Sequence, residues 1–170
     1  MGVANATIRN STLGHAGINA IGFGTFLVEN TTVKASSFFN LRSDYGSTWN
    51  GDFIVRNCTF VPGNGKPLIG TLVKGSSTDW HDFGYPCSMP RRIVFDGLKI
   101  DDSHHPKEYK GPRIFSMFNA KNTGPDYVEK YPYRVTEEVV LRNVSTASGK
   151  EPVVELNGYM FRNVKVTRSN

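Results

Sequence analysis

The chain has 170 residues, of which 38% are hydrophobic, with 17 Gly, 9 Pro and two Cys. This length supports one domain with its own core. The composition is typical of short strands joined by many turns, and two cysteines are too few for a disulfide framework. The net charge of +5 favours an anionic partner, but the scattered basic residues argue against nucleic acid, and no apolar stretch of roughly 18 residues is present to span a membrane.

A short motif recurs in chain order, in which apolar residues and one polar residue precede an Asn. The first copies are Ile8-Arg9-Asn10-Ser11-Thr12-Leu13 and Val28-Glu29-Asn30-Thr31-Thr32-Val33. The later copies centre on Asn57, Gly97, Asn143 and Asn163, so that successive copies lie 20, 27, 40, 46 and 20 residues apart. Asn and Gly adopt the left-handed backbone conformation most readily. The motif therefore predicts two strands that meet at a left-handed turn.

A second set of apolar segments falls between the motif copies. It comprises residues 18–21, 38–42, 68–73, 113–118 and 153–156. Alternation places Phe39 and Leu41 inward and Asn40 and Arg42 outward. A spacing near 20 residues fits one coil of a stacked solenoid, with longer spacings as loop insertions. The chain is therefore predicted to be all-β, a parallel β-helix of about six coils, one for each copy. The alternative, a β-sandwich of hairpins, is disfavoured because Asn is mostly followed by Ser, Thr, Cys or Val rather than Gly.

The repeated Val-x-Asn-x-Thr-like coil resembles the right-handed parallel β-helix superfamily, which includes pectate lyases, polygalacturonases and bacteriophage tailspikes. The resemblance implies a right-handed solenoid with a carbohydrate-facing surface, located outside the cell, at the cell surface or on a virion. The polygalacturonase set of neighbouring Asp residues with Gly-His is not present in this sequence. Fold alone does not determine a reaction, so the resemblance leaves the chemistry open.

Three long insertions, residues 43–51, 74–92 and 120–138, fall between a second-set segment and the next motif copy. Insertions of stacked coils share one face, so these loops are predicted to lie side by side and to wall a groove. Rings among polar residues suit a sugar, although they can also anchor loops onto the body of the fold. The predicted substrate-binding residues are Trp49, Trp80, Tyr45, Tyr85, Lys74 and Arg113.

The same region holds the candidates for chemistry. His81 with Asp82 is the best general acid–base pair, because His titrates near neutrality. Asp44 can supply a second carboxylate, as glycoside hydrolysis requires. Arg42 is predicted to bind an anion, because an arginine that is always charged makes a poor base. The spacing of Cys and His is not of metal-binding type, and the Asp101-Asp102 pair is expected to be solvated, so neither metal nor cofactor is predicted.

These features predict an extracellular β-helix that binds a polysaccharide and cleaves it as a lyase or a glycoside hydrolase. The positive net charge favours an acidic polysaccharide. A non-catalytic glycan-binding adhesin, or a phage tail or appendage module, is the alternative, and a purely structural solenoid is a third reading. The chain begins and ends inside repeat units. Residues 1–170 are therefore expected to form one domain that is a segment of a longer β-helix, covered by a homotrimer contact or by stacking on a neighbouring segment.

Overall fold

The computed structural model describes residues 2–15, 17–41, 48–63, 70–75, 84–116, 134–154 and 164–170. Within these ranges the chain forms strands and no helix. The strands are β1 (Val3–Arg9), β2 (Thr12–His15), β3 (Gly22–Glu29), β4 (Thr32–Ala35), β5 (Ser37–Leu41), β6 (Trp49–Arg56), β7 (Thr59–Pro62), β8 (Thr71–Gly75), β9 (Arg92–Asp96), β10 (Lys99–Ile100), β11 (Arg113–Ser116), β12 (Glu138–Arg142), β13 (Ser145–Thr146) and β14 (Lys165–Ser169).

The strands form three parallel sheets. Sheet A has the order β1-β3-β6-β9-β12-β14, sheet B the order β13-β10-β7-β4-β2, and sheet C the order β11-β8-β5. Every strand pair in these sheets is parallel. In the middle of the chain, successive strands visit sheets A, B and C in turn and then return to sheet A. The fold is thus all-β with parallel sheets, as the sequence predicted.

The turn between sheets A and B has the predicted left-handed backbone. Asn10, Asn30, Asn57, Gly97 and Asn143 have φ angles of 53°, 48°, 49°, 74° and 50°. Each backbone N–H donates to a carbonyl of the next strand in sheet A; the Asn30 N–H, for example, donates to the Arg56 carbonyl at 3.0 Å. The repeat position therefore continues the hydrogen bonding of sheet A through the turn.

At three of these turns, the residue after the turn position closes the turn with its side chain. The Ser11 hydroxyl donates to the Arg9 carbonyl at 2.8 Å, and the Thr31 hydroxyl donates to the Glu29 carbonyl at 2.9 Å. The Cys58 thiol takes the same place and contacts the Arg56 carbonyl at 3.2 Å. Burial raises the pKa of this thiol above its ordinary value. Cys58 is thus a free cysteine buried in the interior of the fold.

The last copy of the motif has a different register from the predicted one. The sequence predicts that residues 164–166 follow a turn at Asn163. Instead, Lys165 and Val166 belong to sheet A, where Glu138 lies opposite Lys165 and Arg142 lies opposite Ser169. Asn143 donates its N–H to the Ser169 carbonyl at 3.0 Å, so Asn170 follows the strand where Asn163 was expected. The predicted register is wrong because Lys165–Ser169 pairs along its whole length with Glu138–Arg142 of sheet A.

The three sheets enclose one core that is rich in aromatic rings. Phe39 of sheet C lies 4.4 Å from Phe53 of sheet A between ring centroids, and Phe38 lies 5.9 Å from Phe60 of sheet B. All four rings are fully buried. Burial of one such side chain stabilises the fold by roughly 1.5–3 kcal/mol. The predicted second-set segments contribute β5, β8 and β11, whereas Ile18 and Val153 make isolated bridges.

Candidate functional site

Three segments of the chain leave sheet C at neighbouring positions. Leu41, at the end of β5, pairs with Gly75 at the end of β8, and Lys74 pairs with Ser116 at the end of β11. The segments that follow, residues 42–47, 76–83 and 117–133, lie outside the described residues. Their starting points are therefore side by side along one edge of the sheet.

The same three segments also return to the fold at neighbouring positions. The Trp49 N–H donates to the Ser88 carbonyl at 3.0 Å, and Ser88 forms a parallel bridge with Arg134. The Arg134 N–H donates to the Cys87 carbonyl at 2.8 Å. We call the region bounded by these exits and returns the loop-bearing edge. The predicted insertions are shorter than expected, because residues 49–51 belong to β6 and residues 74 and 75 belong to β8.

A row of polar side chains lies at the base of the loop-bearing edge. Asn40, Lys74 and Ser116 are paired across β5, β8 and β11, and all three are half-buried. Phe39, immediately before Asn40, is fully buried, as the alternation predicted. The Ser116 hydroxyl donates to the Thr71 hydroxyl at 3.2 Å, so it is left as an acceptor. The Asn40 amide and the Lys74 ammonium group can bind sugar hydroxyls and one acidic group.

Arginine side chains on the outer face of sheet A form ion pairs with carboxylates of neighbouring strands. Arg142 pairs with Asp96 at 3.0 Å, and Arg9 pairs with Glu29 at 3.4 Å. Among the residues that the structure describes, no carboxylate forms an ion pair with Lys74.

Trp49, which the sequence assigns to the groove, is a core residue. Its side chain is 0% exposed, its indole Nε1 donates to the Gly24 carbonyl at 2.8 Å, and its ring lies 5.2 Å from that of Phe26. It has no surface to offer a sugar. The sequence did contain a signal for this position, because Trp49 and Gly51 continue the alternation of Phe53 and Val55 along β6.

The other predicted site residues divide into two groups. Tyr85 is 49% exposed, and Arg113 is half-buried at the start of β11, where it pairs with Thr71 and forms a bridge to Val153. Outside the described residues lie Arg42, Asp44, Tyr45, Trp80, His81 and Asp82. The catalytic assignments of His81, Asp82, Asp44 and Arg42 therefore stay predictions.

Asp102 was expected to be solvated, and this expectation is wrong. Asp102 is only 4% exposed. Its carboxylate accepts hydrogen bonds from the Tyr109 hydroxyl at 2.8 Å, the Ser148 hydroxyl at 2.7 Å and the Ser148 N–H at 2.8 Å. Burial, and then the Asp102 carboxylate, raise the pKa of Tyr109 well above its ordinary value. The network ties residues 101–112 to the turn at 146–150, which no local pattern in the sequence indicates.

Comparisons of the chain with protein-family models, with curated proteins and with solved structures find no match. In the described part of the chain, no group of three or more His, Cys, Asp or Glu side chains is arranged to hold a metal ion. No helix among the described residues is long and apolar enough to cross a membrane.

Proposed function

We propose that this chain is a right-handed parallel β-helix that binds an acidic polysaccharide at the loop-bearing edge and cleaves it. The observation that carries the proposal is the placement of three insertions, whose exits from sheet C and returns near Ser88 are adjacent in successive layers. Loops on a rigid scaffold are where binding residues concentrate. The all-parallel sheets and the left-handed Asn turns support the solenoid. By this proposal the protein acts outside the cell or on a virion.

Lys74 supports an acidic ligand. It lies in the middle of the row between Asn40 and Ser116, and the described part of the chain contains no carboxylate that pairs with it. A lysine in this position attracts a uronate carboxylate, while the amide and the hydroxyl bind neighbouring sugar hydroxyls. Cleavage requires groups from the loops, and the candidates are His81, Asp82, Asp44 and Arg42.

Incubation with a panel of acidic and neutral polysaccharides tests the proposal. Release of unsaturated uronate products, detected by ultraviolet absorbance, indicates a lyase, and new reducing ends alone indicate a hydrolase. His81→Ala and Asp82→Asn are expected to abolish release while binding persists. If neither binding nor release occurs with any acidic polysaccharide, the proposal fails.

A matched pair of lysine variants tests the binding surface. Lys74→Gln is expected to weaken binding of an acidic polysaccharide about tenfold, because one charge-assisted contact is lost. Lys34→Gln, an exposed lysine of sheet B, is the control and is expected to leave binding unchanged. Equal binding by both variants in affinity electrophoresis argues against the loop-bearing edge as the binding site.

The second candidate is a glycan-binding module without catalysis. It is favoured by the row of polar side chains at the loop-bearing edge, because Asn40, Lys74 and Ser116 include no carboxylate and no histidine. Saturable binding to a polysaccharide with no product after prolonged incubation would select this candidate over the enzyme. The same panel therefore separates the two functions.

A further inference from the structure

We propose that the outer face at the start of sheet A is a second sugar-binding site, in which the Phe23 ring packs against the apolar face of one neutral pyranose unit. Phe23 is 53% exposed, and its position in β3 lies opposite Ala4 of β1 and Asn50 of β6. The choice of a sugar as the ligand rests on the proposed function, whereas the exposed ring and the amides beside it do not.

The Phe23 side chain points away from the core. Asn50, which pairs with Phe23, directly follows Trp49, a residue that is 0% exposed. Neighbouring residues along a strand point to opposite faces of the sheet, so Asn50 and Phe23 share the outer face. An aromatic ring that is half in water gains apolar contact when the C–H face of a sugar covers it. The ring is therefore available for stacking.

Two amide side chains flank the ring, one on each neighbouring strand. Asn50 is exposed, and its amide has no hydrogen-bonding partner among the residues that the structure describes. Asn5 is also exposed, and its Oδ1 atom accepts a hydrogen bond from the Thr25 N–H at 2.9 Å, which holds this amide against β3. The NH2 groups of both amides can donate to sugar hydroxyls while the ring stacks on the sugar.

The chemistry of this site favours a neutral sugar. Ala4, Phe23 and Asn50 carry no charge, and the nearby charged pair, Asp52 and Arg91, is joined at 3.2 Å. A uronate carboxylate would find no unpaired cation in this set of residues. The site thus differs from the row that contains Lys74, and it is expected to recognise a different unit of the same polysaccharide.

The backbone under the ring is held in place before any ligand binds. The indole Nε1 of Trp49 donates to the Gly24 carbonyl at 2.8 Å, and Gly24 has a φ angle of 87°, which favours glycine. The Gly22 N–H donates to the Thr48 carbonyl at 2.9 Å, where the first insertion returns to the fold, so the site borders the loop-bearing edge. A site that is formed in advance loses less conformational entropy on binding.

Titration with cellohexaose, maltohexaose and a galactan oligosaccharide, followed by the ring resonances of Phe23 and the side-chain amide resonances of Asn50, tests the proposal. A saturable shift of both sets of resonances is expected with at least one of these neutral sugars. Phe23→Ala is expected to weaken binding about tenfold, whereas Phe23→Trp is expected to preserve it because a ring remains. Val3→Ala is the matched control, since Val3 is an apolar residue of the neighbouring strand with 55% exposure, and it is expected to leave binding unchanged.

A leucine variant separates ring stacking from the burial of apolar surface. Phe23→Leu keeps an apolar side chain without a flat face, and it is expected to weaken binding as Phe23→Ala does. The proposal is overturned if no neutral oligosaccharide binds, or if either Phe23→Ala or Phe23→Leu binds as tightly as the wild type.

The proposed function fails by a different result. Lys74→Gln is expected to bind the neutral oligosaccharides as the wild type does, because Lys74 lies outside this site. Binding of neutral oligosaccharides at Phe23 without binding of any acidic polysaccharide would overturn the proposed function alone. Binding of an acidic polysaccharide that Lys74→Gln weakens and Phe23→Ala does not, with no binding of neutral sugars, would overturn this inference alone.

Discussion

Gly97 lies beside Asn57 in the next strand layer, and a Cβ on Gly97 would lie 2.7 Å from the Oδ1 atom of Asn57. Both residues have positive φ angles, 74° and 49°. The Gly97 N–H donates to the Arg142 carbonyl at 2.9 Å, and the Asn57 N–H donates to the Asp96 carbonyl at 2.9 Å. The two residues are thus equivalent positions of one repeat, in which glycine replaces asparagine at a crowded point.

This relationship predicts an order of stability at residue 97. Gly97→Ala is expected to lower the free energy of unfolding by about 1–2 kcal/mol, because alanine is strained in the left-handed region. Gly97→Asn is expected to cost less, because asparagine adopts this conformation readily and the Asn57 amide can rotate away. Urea denaturation measures both. Asn143→Gly is the control at an equivalent turn and is expected to have a small effect; an alanine variant as stable as the asparagine variant would contradict the account.

Trp49 is expected to behave as a core residue in solution. In a Trp80→Phe background it is the sole tryptophan, and its fluorescence is expected to be blue-shifted and insensitive to iodide because the side chain is 0% exposed. Trp49→Ala is expected to lower the free energy of unfolding by about 3–5 kcal/mol, since a large buried ring is removed. Iodide quenching of the native protein to the level of the unfolded protein would show that Trp49 is at the surface instead.

Asp101 and Asp102 are adjacent in sequence but are expected to respond differently to truncation. Asp102→Ala removes the acceptor of three hydrogen bonds from Tyr109 and Ser148, and it is expected to cost about 2–5 kcal/mol. Asp101 is exposed, and it accepts its hydrogen bonds locally from Ser103, so Asp101→Ala is expected to cost less than about 1 kcal/mol. Thermal and urea unfolding compare the two variants, and equal losses would refute the structural role of Asp102.

Tyr109 gives the stability a defined pH dependence. Its pKa in the folded chain is raised above the ordinary value of 10.0, first by burial and then by Asp102. Above about pH 10 the unfolded chain releases this proton while the folded chain retains it, so stability falls as pH rises, by up to about 1.4 kcal/mol per pH unit. Tyr109→Phe is expected to remove this contribution. Unfolding curves for both proteins between about pH 9 and about pH 11 measure the difference, and parallel pH profiles would contradict the prediction.

The repeat could be predicted from the sequence because it depends on the backbone preferences of single residues. Asn and Gly adopt the left-handed conformation cheaply, so a position restricted to them marks a turn, and Asn30 and Asn57 were correctly placed in that way. Alternation along a strand is equally local, and it correctly assigned Phe39 and Leu41 to the interior. These features need only the preferences of single residues and their immediate neighbours.

Long-range contacts decided the rest. Trp49 became a core residue because β6 pairs with β3 from its first position, opposite Gly22, and the buried Asp102 has its partner Ser148 46 residues away. The register of β14 likewise depends on its pairing with β12, and because of that pairing Asn170, not Asn163, lies opposite Asn143 at the end of the strand. Parallel pairing joins segments whose separation varies from layer to layer. The sequence by itself therefore determined the turns at Asn10, Asn30, Asn57, Gly97 and Asn143 and the inward position of Phe39 and Leu41. Only the tertiary structure decided which strands pair and which polar groups are buried together, because both depend on contacts between distant parts of the chain.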